Sequence, residues 1–373
     1  MAKQAKLPQS VFDKMKALAE LINKSQFGGK DSDVATVLGD EGIVSNVKWF
    51  KTKFREINHA FGLGVPEGKI IEFFGGESAG KSTLVYHILA AYQEAHPDKG
   101  ILVVDTENSY DPLYVEALGV KSSGITYVEA EKGLDCLNIA KMSIESGLVG
   151  LIVIDSVAAL TTKSDDTGDI GEQAMAEQAR MVTNAMRVLN NLVSQHGVAL
   201  VITNQVRENL AAKYGDKIAT PAGKALKHYA HIRAKLTKIG QIKSGDDVVG
   251  IKGRMDVVKN KLAPPFRKAE YAISFGKGID PVLSLTNTAI TLNVIKKKGG
   301  WFSFDGVTLA QGQEELVEKL EKDKDLLEKV TVLVDAAYED LIRSKSKPSE
   351  DEEQDEKQEN GESPEDGTEA EMM

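Results

Sequence analysis

The chain has 373 residues, a formal net charge of −10, 42% hydrophobic residues and one cysteine. That length suits a core domain with smaller appendages, and the apolar content supports a packed interior. The lone cysteine, Cys136, excludes an intramolecular disulfide and a cysteine-built zinc site, and no run of about 18 apolar residues exists to cross a membrane.

The opening segment MAKQAKLPQS lacks the apolar stretch of a secretory signal, so a reducing cytoplasm is the expected compartment. The acidity is local. Of 46 Lys/Arg and 56 Asp/Glu, the segment 349–373 holds one and twelve, which leaves 45 against 44 in the rest. The body is therefore near neutral, and its overall charge does not count against a polyanionic partner.

In chain order, residues 10–25 place Val11, Met15, Leu18 and Ile22 on one helical face. GGKDSD follows as a flexible break. This N-terminal part, 1–40, is expected to bury its stripe on another surface, such as a neighbouring subunit. From about residue 68 to 205 come the short runs KIIEFF, GILVVD, ITYVEA, GLIVID and VALVITNQ, separated by helix-length segments. Strands apolar on both phases are covered on both faces, which predicts a mostly parallel sheet in an α/β domain spanning 41–280. The clearest helix is 172–196, where Met175, Ala179, Val182, Met186, Leu189 and Val193 step by three and four. After a polar stretch, HIRAKLTKIG, VVGIKGRMDVVKN and AEYAISF extend the sheet with antiparallel pairs. Residues 281–342 read as a small α+β domain. Residues 343–373 are rich in Glu, Ser, Pro and Gly and are expected to be disordered.

The strongest motif is Gly75-Gly76-Glu77-Ser78-Ala79-Gly80-Lys81-Ser82, followed by Thr83, between the strand KIIEFF and the helix STLVYHILAAYQEA. It matches G-x-x-x-x-G-K-[ST] in the required context. Glycines let backbone N–H groups turn inward around phosphates, and the helix N-terminus adds a positive dipole end. Lys81 is positioned to bridge the β- and γ-phosphates of ATP, and the Ser82 hydroxyl to bind Mg²⁺. A second element, GLIVID, ends in Asp155 at the carboxyl edge of the sheet, where ligands bind in such folds. Asp155 is expected to hold the Mg²⁺ shell. Hydrolysis also needs a group that activates water. ILVVD ends in Asp105-Thr106-Glu107 at the same edge, and periodicity alone leaves Asp105 and Glu107 as equal candidates.

The segments GGESAGKST, VVDTENSYDPLYVEALGV, VIDSVAALT, GEQAMAEQARMVTNAMRVL, ITNQVR, VVKNKLAPPF and GKGI resemble the bacterial RecA recombinase family over about residues 12–342. D-x-E-x-x-x-D-P-x-Y and V-V-K-N-K-x-A-x-P-F are specific to that family rather than general to phosphate-loop proteins. The resemblance implies a P-loop fold of RecA type, with Glu107 as catalytic base. Asp111 and Tyr114 match residues that contact and stack on adenine. Gln205 matches the sensor of the γ-phosphate. Lys259 and Lys261, two apart in a strand and so on one face, match lysines that reach a neighbouring subunit's ATP and neutralise charge there. Phe275 stands where the family often has a Tyr that covers the neighbour's nucleotide.

The resemblance also implies a DNA interface, and the residues suit one. Arg207, Lys224 and Lys227 lie in a basic, glycine-containing segment after the sensor strand, and Gly223 opens backbone N–H groups to phosphate. Ala222 stands where the family usually has Gly. Glu208 and His228 replace an apolar and an aromatic residue. Arg180, Thr183 and Arg187 form a stripe on helix 172–196 and match positions that line DNA. Met175 and Leu210 match apolar wedges between base triplets, although Met175 fits the helix's core phase equally well. Two other readings remain: a closed-ring DNA motor sharing the phosphate loop, which the Lys-Asn-Lys pair and the C-terminal domain disfavour, and a non-hydrolysing scaffold, which the retention of Lys81, Glu107 and Asp155 disfavours. The expected protein is a filament-forming, ATP-dependent recombinase acting on single-stranded and double-stranded DNA in a bacterium or phage-infected cell, with no membrane partner.

The acidic C-terminal segment is expected to compete electrostatically with DNA for basic surface. Truncation after residue 343 is therefore expected to strengthen duplex binding, most at low salt. Equal affinities with and without the segment across a salt titration would refute the competition.

Overall fold

The computed structural model describes residues 9–24, 47–130, 132–162, 172–208, 218–219 and 223–345. The chain divides into two units, Met1–Lys48 and Trp49–Met373. The first contributes helix α1, Gln9–Lys24, on which Met15, Leu18 and Leu21 are exposed. The GGKDSD break expected after it lies outside the described residues.

The second unit is organised by a nine-stranded sheet. Its parallel part runs β10 (Ile232–Ser244), β3 (Ile70–Gly75), β7 (Ala199–Gln205), β6 (Val149–Asp155), β4 (Gly100–Asp105) and β5 (Ile125–Glu129). β11 (Asp247–Asn260), β12 (Lys268–Ser274) and β13 (Gly278–Ile279) continue it beyond β10 with antiparallel pairs. Successive side chains of a strand point to opposite faces, and here both faces are covered. Ile71, Phe73, Ile101, Val103, Leu151, Val153 and Val201 join one buried cluster with Leu84, Val85, Ile88 and Leu89 of helix α3 (Lys81–Ala95). Their neighbours Ile70, Leu102, Val104, Ile152, Ile154, Leu200 and Ile202 join another. That second cluster is closed by Leu137 and Ile144 of α5 (Gly133–Glu145) and by Val182, Met186, Leu189 and Val193 of α6 (Glu172–His196). The unbroken apolar runs in the sequence thus reflect a three-layer packing.

A third core gathers Leu285 and Ala289 of α8 (Pro281–Thr291), Phe302 and Ala310 of a three-stranded sheet, and Leu316, Leu320, Val330 and Val334 of α9 (Gln313–Lys322) and α10 (Lys324–Lys345). Helix α2 (Arg55–Phe61) ties it to the sheet. Arg55 donates to both carboxylate oxygens of Asp335 at 2.7 and 3.0 Å, while buried Glu56 accepts from the hydroxyls of Ser284 and Thr288. Helix α10 continues through Lys345, so the expected onset of disorder at 343 is corrected: Arg343, Ser344 and Lys345 simply prolong the last turn.

Two histidines are held neutral by the fold. The His87 Nε2 accepts the Ile279 N–H at 2.9 Å, and the His231 Nδ1 accepts the Ile70 N–H at 3.2 Å. Burial, aided by nearby lysines, lowers each ring from the ordinary 6.5 to about 4. Between those values the unfolded chain binds protons that the folded chain refuses, so stability falls as pH falls from 6.5 toward 4. Thermal unfolding followed from pH 7 to pH 4.5 checks this, and a flat melting temperature would contradict it.

Candidate functional site

Register brings the ends of four strands to one edge of the sheet. Gly75 pairs with Gln205, and Asp105 pairs with Asp155. The connection from β3 into α3 is the glycine-containing loop. Gly80 sits at the left-handed φ of 86°, where a Cβ would lie 2.5 Å from the Ile273 Cδ1. A Cβ on Gly75 would meet the Leu236 carbonyl oxygen at 2.2 Å, whereas at Gly76 it would meet nothing within 4 Å. Gly75 and Gly80 are thus demanded by packing, and Gly76 faces open space. Glu77 and Ser78 are exposed and Ala79 is buried. The Lys81 ammonium turns back on its own loop, donating to the Gly75 and Gly76 carbonyls at 3.2 and 2.9 Å. Burial lowers its pKa, and Asp155, Glu107 and Glu77 oppose that shift.

Ser82 lies in the first turn of the same helix, and its hydroxyl donates to the Asp155 Oδ2 at 3.0 Å. The Thr203 hydroxyl donates to the other oxygen, Oδ1. Burial raises the Asp155 pKa, the Thr203 and Ser82 hydrogen bonds lower it, and Glu107 and Asp105 raise it further. A hard cation would reverse that balance. A hydroxyl beside a carboxylate fits Mg²⁺, which takes one or two carboxylates and completes its shell with phosphate and water. Among the described residues no group of three or more His, Cys, Asp and Glu forms a self-sufficient metal cage.

The two acids left open by periodicity differ sharply in surroundings. Asp105 is 2% exposed. Its Oδ1 accepts the Glu107 N–H at 2.9 Å, and its Oδ2 accepts the Ser109 and Tyr110 N–H groups at 2.8 and 2.9 Å and the Tyr127 hydroxyl at 3.1 Å. Asp105 shapes the loop from inside. Glu107 is exposed, and its Oε1 accepts the Ser156 hydroxyl at 2.6 Å and the Gln205 amide at 2.9 Å. Ser156, Thr203 and the loop-shaping role of Asp105 escape sequence reading. The only signal was a hydroxyl inside or just after a buried apolar strand.

Beside this edge, the Asp111 carboxylate caps α4 (Pro112–Ala117), accepting from the Leu113 and Tyr114 N–H groups at 3.0 and 3.3 Å. Such a cap contributes about 1 kcal/mol. The Tyr114 and Thr83 hydroxyls are 3.0 Å apart, which brings the residue expected on adenine to the first turn of α3.

Lys259 and Lys261 converge as their spacing implies. Within the chain they bind the end of helix α7 (Gly223–Tyr229): Lys259 donates to the Lys227 and His228 carbonyls at 2.5 and 3.0 Å, and Lys261 to the His228 carbonyl at 3.1 Å. Cations favour a helix C-terminus. Burial, then Lys261 and Arg233, bring the Lys259 pKa down to about 8 against the pull of Glu72. The Arg233 pair with Glu72 is buried, and Glu72 also accepts the Asn204 amide at 3.0 Å, one residue before Gln205. Phe275 is 58% exposed.

Of the residues expected on DNA, Arg180, Thr183 and Arg187 are all exposed on α6, offset from its buried stripe. Arg180 also lines a groove of about 580 Å³ between α5 and α6. Lys227 is half-buried. Arg207 lies in the two-residue strand Arg207–Glu208, Met175 in α6, and Gly223 and Lys224 in α7; their side chains lie outside the described structure. Leu210 and Ala222 lie outside the described residues.

A phosphate loop between a central parallel strand and a helix, with a serine hydroxyl on a strand-end aspartate, defines the class of P-loop α/β nucleotide-binding proteins. Comparison with known proteins narrows this. The RecA N-terminal domain model matches residues 14–280 and the RecA C-terminal domain model residues 284–339. Protein RecA of Thermus thermophilus is 42% identical over 278 residues, covering 74% of this chain and 81% of that protein. Protein RecA of Chlorobium limicola is 38% identical over 299 residues, covering 80% and 85%. Protein RecA of Caldanaerobacter subterraneus subsp. tengcongensis is 38% identical over 323 residues, covering 86% and 93%. The chain belongs to the RecA family.

Because Asp105 gathers four donors, Asp105→Asn sets an amide against N–H groups. The variant is expected to lose roughly 1–3 kcal/mol, read as a lower urea midpoint. An unchanged midpoint would mean the loop is held by other contacts.

Proposed function

We propose that this RecA-family protein is an ATP-dependent DNA recombinase, which forms a filament on single-stranded DNA and pairs it with homologous duplex in recombination and repair. The observation that carries the reading is the Gln205–Glu107 hydrogen bond. It joins the end of β7 to the acid facing the phosphate loop, and β7 leads directly into the basic segment 206–228. Nucleotide state and DNA grip then lie on one continuous stretch of chain.

In this reading the loop 75–82 and Lys81 hold the triphosphate, and Asp111 and Tyr114 meet the adenine. Ser82 and Asp155 are the residues that would hold Mg²⁺, which would supply charge neutralisation. Glu107 takes the proton of the attacking water, because Asp105 is committed to its loop. Gln205 registers the γ-phosphate. Lys259 and Lys261 leave their own helix end to serve a neighbour's phosphate, and Phe275 covers that neighbour's nucleotide by stacking, which makes turnover depend on assembly. Arg180, Thr183 and Arg187 face the DNA backbone together with the loop carrying Arg207, Gly223, Lys224 and Lys227. Met175 and Leu210 act as wedges. Base pairing supplies sequence specificity and the protein holds the backbones. Residues 1–40 contact the adjacent subunit, 41–280 form the ATPase core, 281–345 the small C-terminal domain and the chain after it the acidic tail. Among the described residues no helix is long and apolar enough to cross a membrane, and the proposed setting is the bacterial cytoplasm.

The test is Glu107→Gln beside wild type, with ATP and single-stranded DNA. Filaments are expected from both by electron microscopy, with turnover reduced at least a hundredfold in the variant, the scale of a general base. Closed rings would favour a motor, and full turnover would remove Glu107 as the base.

A further inference from the structure

We propose that Ser156 is a positioning residue for Glu107, fixing the carboxylate through one oxygen so that the other is presented to water. The inference rests on Glu107 acting as the base. It begins with how firmly Ser156 itself is held. Ser156 is 0% exposed. The Thr106 hydroxyl donates to the Ser156 carbonyl at 2.7 Å and accepts the Ser156 N–H at 3.0 Å. Both backbone polar groups of Ser156 are therefore bound to the residue preceding Glu107, and the Thr106 N–H is bound in turn by the Asp155 carbonyl at 2.8 Å. Thr106 and Ser156 form a closed clasp between the ends of β4 and β6, and Glu107 and the Ser156 hydroxyl project from its two sides.

Glu107 needs such a hold. It is exposed, sits on a loop rather than in a strand, and has three side-chain torsions to restrict. Two donors reach it, the Ser156 hydroxyl at 2.6 Å and the Gln205 amide at 2.9 Å, and both fall on Oε1. They are not equivalent. An amide carries two hydrogens and can divide them between acceptors, as a γ-phosphate sensor must, whereas a hydroxyl carries one. The single hydrogen of Ser156 is spent on Glu107. Gln205 is also half-exposed at a strand end, while Ser156 is locked on both sides. Among the described residues no hydrogen bond reaches Oε2, the oxygen a water would approach. A base pinned by one oxygen and open at the other is pre-oriented without being neutralised.

The experiment is a double-mutant cycle on the full-length, nucleotide-free protein, joining Ser156→Ala and Glu107→Ala. Ser156→Ala is expected to lower the melting temperature by roughly 2–4 °C in the wild-type background and to leave the Glu107→Ala background nearly unchanged. In the DNA-stimulated reaction, Ser156→Ala is expected to lower kcat about tenfold, the scale of one charge-assisted hydrogen bond, with KM for ATP within about twofold. Equal thermal losses in both backgrounds, or a change confined to KM, would overturn the assignment. Failure of the underlying reading looks different: Glu107→Ala would then keep full turnover, while the thermal cycle would still report whether Ser156 holds the acid.

Discussion

Parallel pairing in fixed register is the constraint from which the site follows. Gly75 opposite Gln205 and Asp105 opposite Asp155 place a glycine-containing loop, a buried strand-end carboxylate, a loop-shaping acid and a strand-end amide at one edge. No single segment could do this, because a strand delivers one residue to its end. Strands delivered by crossover helices deliver several, and all carboxyl ends then face the same way.

That edge is stiffened by hydroxyls and acids which bind protein. Thr203 and Ser82 hold Asp155, Tyr127 and three amides hold Asp105, and Ser156 holds Glu107. Each carboxylate receives a different set of partners, so three acids within one site differ in exposure and role. Asp105 is saturated and buried, Asp155 is buried between two hydroxyls, and Glu107 stands at the surface. Such a division among chemically similar groups is what the proposed function requires, one acid for a cation and another for water.

Outside this edge, charge ties neighbouring strands of the sheet. The buried Glu72–Arg233 pair spans β3 and β10 beneath Asn204, and Lys259 stands opposite Arg233 across β10 and β11. Removing one partner of such a pair leaves an uncompensated buried charge, a loss of roughly 3–5 kcal/mol. With the Asn204 amide on Glu72, the pair links the adjacent strands β10, β3 and β7. The same two lysines close the end of α7, so the helix that ends the basic segment is bound to β11.

Much of this was determined by the order of residues alone. Unbroken apolar runs indicated the strands, three-and-four spacing indicated α6, and the glycine–lysine–serine loop indicated the phosphate site, because these signals depend only on near neighbours. What neighbours cannot carry is the choice between like groups. Asp105 and Glu107 are two residues apart and equally able to accept a proton. Only the meeting of β4 with β5, β6 and β7 gives one to its own loop and the other to Ser156 and Gln205. The hydroxyls of Thr203 and Ser156 lie 48 and 49 residues from the acids they bind. Such contacts exist only once long crossovers have closed, and for that reason tertiary structure alone decided them.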